Sequence, residues 1–245
     1  MSSNTKQFVL IGVAAGLFAS ILLTGVLGNV VHGNYLAIPL VGCILVLAFG
    51  VMWLGVWLNR QRIQLMFRKP TPDMIIEHYN TALLQARARK IPHAEAATAH
   101  LSALAAAVYG QYDRARAELG KVNWAQEPPM YRGHRLHMLA LIALLEKQDA
   151  EGALRMAAEA RALEQSDRAG ALPILDGVIR VAAGEGDAET VNRIQKAAAR
   201  GSGGMPAVCA WALSLYCERN GQATEAAAYR ERALEAAPHF AALKA

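Results

Sequence analysis

"LSLYCERNGQATEAAAYRERALEAAP", residues 213–238, holds a complete helix-turn-helix pattern, and this pattern decides the fold. Gly221 interrupts an apolar helical segment where a turn needs backbone freedom. Ala226 and Ala233 are seven residues apart, so they lie on one face of the second helix. Pro238 then ends that helix, because proline has no backbone N–H to continue it. The stretch therefore predicts two helices that approach closely at small side chains.

Three earlier stretches repeat this pattern of a turn followed by a helix. They are "GQYDRARAEL" from Gly110, "QDAEGALRMA" from Gln148 and "GDAETVNRIQ" from Gly186. Apolar helical segments at 94–108, 130–146, 171–183 and 205–219 come before the four turns. Two-helix repeats with periods of 35 to 38 residues are typical of helical solenoids. The sequence therefore predicts an all-α fold.

The repeats resemble the tetratricopeptide repeat. The last unit fits best: Leu213 and Ser214 stand in the packing slots of its first helix, and Ala226 and Ala233 stand in the small slots of its second. It departs from the pattern at Arg230, where an aromatic residue is expected. The earlier units depart at three positions: Val122, Gln148 and Val191. The resemblance spans 93–240 and implies four units that act as a scaffold for other proteins.

Two long apolar runs precede the repeats, at about 8–31 and 36–58. Each exceeds the roughly 20 residues that a helix needs to cross a membrane, so they predict a transmembrane hairpin. A signal peptide is the alternative for the first run, but no good cleavage site follows it. The predicted organisation is a hairpin with a basic segment at 1–69, a connecting helix at 70–92, repeats at 93–240 and a tail at 241–245.

Positive charge sets the expected orientation and partners. Basic residues flank the hairpin at Lys6, Arg60, Arg62, Arg68 and Lys69, whereas the loop between its two helices has no Lys or Arg. Both termini and the repeats should therefore be cytoplasmic, at a bacterial inner membrane. The last four of these residues are candidate contacts for lipid headgroups; the alternative is that they only set the topology. After Lys69 the 20 remaining basic residues balance 20 acidic ones, which argues against nucleic acid as a partner.

The order of two membrane helices, a basic run and repeats resembles HemY-type proteins of bacterial inner membranes. That resemblance lies in order and spacing, and it implies a membrane-anchored repeat protein without fixing its role.

A ridge of small residues runs along the first apolar segment. Its members are spaced four residues apart: Gly12, Gly16, Ser20, Thr24 and Gly28. Such ridges let two membrane helices approach closely. The second hairpin helix is the nearest candidate to pack there; another membrane protein or a second copy of this chain, in a homo-oligomer, are the alternatives.

A second candidate surface is the concave face of the solenoid, lined by the first helix of each unit. The residues expected there are Leu104, Arg135, Met138, Ile142, Arg180, Trp211, Leu215 and Arg219. An apolar groove with several arginines suits an amphipathic helix or an acidic peptide. The alternatives are that several of these residues are core, and that the helix at 71–90 fills the groove.

The sequence contains few motifs that are typical of catalysis, so we predict that the protein is not an enzyme. It has no Walker loop and no nucleophile elbow, and "GSGGM" at 201–205 follows no strand. His134 and His137 share a helix face without further nearby metal ligands, and the basic cluster around them fits a solvated helix start. We predict no catalytic, metal or cofactor site.

The predicted function is a membrane-anchored scaffold that recruits or stabilises another protein or membrane complex. An accessory subunit bound mainly through the hairpin, or an enzyme-associated subunit, is the alternative.

Overall fold

The computed structural model describes residues 37–165, 174–201 and 203–244, and this part of the chain is helical throughout, without strands. The predicted all-α class is therefore confirmed for the described residues. The described residues form ten α-helices: α1 (Ala37–Met66), α2 (Asp73–Ala88), α3 (Ala94–Val108), α4 (Tyr112–Gly120), α5 (Pro129–Lys147), α6 (Ala150–Gln165), α7 (Ile174–Ala183), α8 (Ala188–Arg200), α9 (Met205–Arg219) and α10 (Ala223–Ala236). Short 3-10 helices lie at Trp124–Gln126 and Ala241–Leu243.

The chain divides into two compact units, Met1–Gln61 and Arg62–Ala245. In the first unit the predicted apolar helix at 8–31 and the small-residue ridge lie outside the described residues. The second apolar run falls on α1, a helix of 30 residues whose side chains are described from Val46 onward. Among the residues that the structure describes, no helix is both long enough and apolar enough to span a membrane.

The second unit is built from helix pairs. α3 packs against α4, α5 against α6, α7 against α8, and α9 against α10. The turns within these pairs lie at 109–111, 148–149, 184–187 and 220–222. Each of the four turn residues singled out from the sequence therefore falls between the two helices of a pair. α2 precedes the pairs and packs against α3.

The turn residues differ because each turn has its own geometry. Gly110 and Gly221 adopt left-handed backbone conformations, with φ near +74° and +72°. Gln148 takes the same region, with φ of 52°, although its side chain makes this conformation unfavourable. At position 186 glycine is required because a side chain has no room there: a Cβ would lie 2.7 Å from Val181 Cγ2.

Burial separates the first helix of each pair from the second. Nine consecutive residues of α9, Pro206–Ser214, are buried, and so are seven of α3, Ser102–Val108. In α10, by contrast, only Ala226 and Ala233 are buried. Successive first helices also contact one another, α3 with α5, α5 with α7, and α7 with α9. The first helices therefore form the core of this unit, and the second helices cover it.

Residues from both ends of the second unit meet at the first turn. Phe67 is buried and stacks on Tyr109, whose hydroxyl donates hydrogen bonds to the carbonyls of Phe67 at 3.0 Å and Lys69 at 2.8 Å. From the other end, His239 stacks on Tyr109 with its ring centroid 6.2 Å away. Phe240 is fully buried and meets Trp211 edge to face. The C-terminal segment is therefore part of the packed unit.

Candidate functional site: a histidine-lined cavity between the first helices

The predicted groove residues divide between the core and the surface. Leu104, Met138, Ile142 and Trp211 are buried, with at most 6% of each exposed. Buried side chains of this kind are not available to a partner in this arrangement. The cause is the alanine content of the first helices: small side chains at 103 and 105–107 let neighbouring helices pack without an open channel between them.

The groove arginines remain nearer the surface, and two of them bind neighbouring backbone. Arg180 Nη2 donates to the carbonyl of Glu185 at 3.2 Å and lies 3.4 Å from Asp187 Oδ2. Arg219 Nη1 reaches the carbonyl of Val181 at 3.5 Å, which links the third helix pair to the fourth. Both interactions brace turns, so these two arginines have a structural role.

Of the three groove arginines, Arg135 is the one that is exposed beside an aromatic ring. Its guanidinium carbon lies 6.0 Å from the centroid of the Trp124 ring, a cation–π distance. The Trp124 indole N–H donates to the carbonyl of Leu119 at 2.6 Å, so the ring is held in place. The remaining groove residue, Leu215, is partly buried against the core. Among the predicted groove residues, Arg135 is therefore the one best placed to contact a partner.

An opening remains between the first helices, as a cavity of about 150 Å³. Its lining comes from all four: His100 of α3, His134 and His137 of α5, Ile174 and Leu175 of α7, and Met205 of α9. The sequence singled out His134 and His137 as a pair but gave no sign that His100 or Met205 would join them. The solvated interpretation of this helix start is wrong for His137, which is fully buried.

The histidine rings in this cavity are close together and poorly solvated. The ring centroids of His100 and His134 are 5.8 Å apart. His100 Nδ1 is buried without a hydrogen-bond partner among the described atoms. Burial, helped by the neighbouring His134 and His137, lowers the pKa of His100 to about 4. Burial also lowers the pKa of His134. Because both pKa values are lowered, neutral imidazoles line the cavity at neutral pH.

A buried carboxylate lies behind the cavity. Asp176 Oδ1 is 2.6 Å from Arg161 Nη1 and 3.5 Å from His137 Nε2. Burial raises the pKa of the Asp176 carboxyl, but the hydrogen bond with His137 and the charge of Arg161 outweigh that effect, so its pKa lies below the usual value. The ionised carboxylate therefore pairs with Arg161 and lies beside the ring of His137, so it links α6 to α7 next to α5.

The four candidate lipid-contacting residues sit at the start of the second unit and just before it. Arg60, Arg62, Arg68 and Lys69 are all exposed. On the same segment Met66 and Phe67 are buried, so basic residues project outward where apolar ones pack inward. Arg68 also lines a second cavity, of about 220 Å³, together with Arg232 and Glu235.

The two cysteines whose side chains the structure describes are both enclosed in the fold. Cys209 and Cys217 are free and buried, and burial raises the pKa of the Cys209 thiol to about 12. No group of three or more His, Cys, Asp or Glu side chains within the described ranges is arranged to hold a metal ion.

Comparison of the chain with protein-family models, with curated proteins and with solved structures gave no significant match.

Proposed function

We propose that this protein is a membrane-anchored helical scaffold that binds and stabilises another protein, most simply a membrane complex or one of its subunits. Two parts carry the proposal: an apolar N-terminal segment that enters the membrane, and four helix pairs similar to tetratricopeptide repeats that face the cytoplasm.

The observation that supports anchoring best is the exposure of apolar side chains on every side of α1. The exposed large hydrophobic residues between Leu47 and Leu58 are Leu47, Phe49, Val51, Met52, Trp53, Leu54, Val56 and Leu58, each between 48% and 69% exposed. Successive residues of a helix are turned by about 100°, so this set covers its whole circumference. A helix that is apolar all round needs an apolar environment on all sides, and hydrocarbon supplies one.

The flanking charges support the proposed orientation. Four basic residues follow the apolar run within eleven positions of Leu58, and residues 32–35, where the sequence predicts the loop, include neither Lys nor Arg. Under the positive-inside rule both termini lie in the cytoplasm of a bacterial cell. The exposed Arg62, Arg68 and Lys69 are then positioned by the chain to meet anionic headgroups, each contributing roughly 1 kcal/mol near the surface.

The paired helices support the scaffold part of the proposal. Their repeated pairing, with left-handed turn residues and buried alanines at 115, 153, 226 and 233, is the arrangement that the tetratricopeptide pattern implies. Because four of the apolar groove residues are buried, partner contacts fall on the exposed surface, where Arg135 is accessible. An accessory subunit held through the membrane hairpin is the second candidate, and the burial of those groove residues favours it.

Co-purification in mild detergent tests the proposal and separates the two candidates. A reporter that is active only outside the cytoplasm, fused after Ala245, should first be silent. The proposed scaffold predicts that Arg135→Glu releases the co-purifying protein, whereas Gly16→Leu does not. The hairpin-bound subunit predicts the reverse. Leu17→Ile is the matched control for the ridge, and Lys244→Ala is the control for the cytoplasmic part. If nothing specific co-purifies with the unaltered chain, the scaffold proposal fails.

A further inference from the structure

The cavity between the first helices presents a ligand set that the scaffold function does not use. Two imidazoles from different helices, His100 of α3 and His134 of α5, line it beside the thioether of Met205 from α9. The aliphatic Ile174 and Leu175 complete the wall. Neutral nitrogen and thioether sulfur donors with no carboxylate on the lining form a soft ligand set, and soft sets favour Cu(I) over hard cations.

We infer that this cavity binds a single cuprous ion through His100, His134 and Met205. The inference is independent of the proposed scaffold function, because it rests on the interior of the helix pairs and not on the membrane segment or on a partner surface.

The spacing of the two rings suits one shared ion. A nitrogen bound at about 2.0 Å from a metal places the ring centroid about 3.2 Å from it, so two centroids 5.8 Å apart subtend about 130° at the ion. That angle lies between trigonal and linear, the low coordination that Cu(I) accepts. Tetrahedral zinc would need a smaller angle and four ligands around the ion. Two imidazoles and a thioether therefore fit the softer ion better.

The surroundings of the histidine nitrogens also favour a bound metal ion. The backbone of His134 interacts with the His100 ring, but His100 Nδ1 is buried without a hydrogen-bond partner among the described atoms, which carries a desolvation cost. A metal ion would satisfy such a nitrogen. His137 borders the same cavity, and its Nε2 lies 3.5 Å from the Asp176 carboxylate, a pairing similar to those that orient histidines around metal centres. The site therefore combines a histidine beside a buried carboxylate with a buried nitrogen that has no hydrogen-bond partner among the described atoms.

Cysteine sulfur also binds Cu(I), so cysteines elsewhere in the chain could bind copper and obscure the measurement. Cys209 is fully buried, and its raised thiol pKa keeps it protonated. Cys43 and Cys217 are therefore replaced, as Cys43→Ser and Cys217→Ala, and this variant of the full chain in detergent is the parent for the test.

The test is anaerobic titration of the parent with Cu(I) against a chromogenic Cu(I) chelator. The inference predicts one ion per chain, with affinity reduced on the order of 100-fold by His100→Gln, more than 10-fold by Met205→Leu, and unchanged by His78→Gln, which lies on α2 away from the cavity. X-ray absorption should show a sulfur neighbour of copper that Met205→Leu removes. The Met205→Leu change conserves volume, so it keeps the test valid if His100→Gln fails to fold.

Three results would overturn the inference. The first is a parent that retains no copper against the chelator, which would mean that the cavity holds only water. The second is copper binding that survives His100→Gln unchanged. The third is a preference for Zn²⁺ that Met205→Leu leaves intact, which would exclude the thioether as a ligand.

Discussion

Gly204, just before α9, is the position where one added methyl group tests the packing of the second unit. A Cβ built on Gly204 would lie 2.9 Å from Phe67 Cε1, 3.0 Å from Val108 Cγ2 and 3.1 Å from Phe67 Cζ. All three distances are tighter than ordinary contacts. Phe67 and Val108 are at most 1% exposed, so neither side chain has room to withdraw. Gly204→Ala must therefore push α9 away from Phe67 and α3.

Overpacking of this kind costs about 1–3 kcal/mol of unfolding free energy. For a unit of this size, each kcal/mol lowers the melting temperature by about 2–4 °C. Gly204→Ala should therefore lower the melting temperature of the full chain in detergent by about 2–12 °C.

Gly120→Ala is the matched control. It adds the same methyl group at the exposed end of α4, where a Cβ would meet nothing within 4 Å. Its melting temperature should be unchanged or slightly higher, because alanine suits a helix better than glycine. In a Phe67→Leu background, which shortens the obstructing side chain, the added cost of Gly204→Ala should shrink. If Gly204→Ala were as stable as Gly120→Ala, the packing of Phe67 between α3 and α9 described above would be incorrect.

Three further predictions use thermal unfolding of the same full chain. Ala226→Leu should destabilise by about 1–3 kcal/mol, because Ala226 is only 1% exposed on α10, which packs against α9, whereas Lys244→Ala should have almost no effect; equal melting temperatures would exclude close packing at this slot. Gln148→Gly should stabilise by about 0.5–1 kcal/mol, because glycine adopts the left-handed conformation of this turn without strain; a loss of stability would show that the Gln148 side chain is needed. Asp187 caps α8 by accepting a hydrogen bond from the Thr190 N–H at 2.7 Å, and this bond lowers the pKa of its carboxyl, so Asp187→Ala should lower the melting temperature more than Asp187→Asn does. Because the pKa of Asp187 is lower in the folded chain than in the unfolded chain, its negative charge stabilises the fold above about pH 4. The difference in melting temperature between the unaltered chain and Asp187→Asn should therefore shrink as the pH falls. A difference that stays constant down to about pH 2 would argue against this role of the charge.

The sequence indicated the paired helices because the signals for them are local. A glycine or glutamine turn, a helix with alanines on one face and an ending proline all act within some 30 residues. The structure accordingly places Gly110, Gln148, Gly186 and Gly221 between the two helices of a pair. Even the departure at Gln148 has a simple account, since the residue adopts the conformation that glycine usually supplies.

The interior could not be predicted from the same signals, because it depends on how four distant helices pack together. His100 and His134 are 34 positions apart, and Met205 is a further 71 positions away, so no local spacing connects them. The assumption of an open concave face also placed Leu104, Met138 and Trp211 at a surface. These residues are buried because alanine-rich helices pack closely enough to close that face.

Cysteine accessibility in membrane vesicles tests the central proposal, a membrane-anchored chain with a cytoplasmic helical unit, most directly. Val51 is 69% exposed and Lys69 is also exposed, so in water a cysteine at either position would react rapidly with a membrane-impermeant maleimide. The proposal predicts that, in inside-out vesicles from a parent carrying Cys43→Ser, Cys209→Ala and Cys217→Ala, Lys69→Cys reacts and Val51→Cys does not until the membrane and the protein are dissolved in a denaturing detergent. Val51→Cys that reacts as fast as Lys69→Cys in intact vesicles would contradict it.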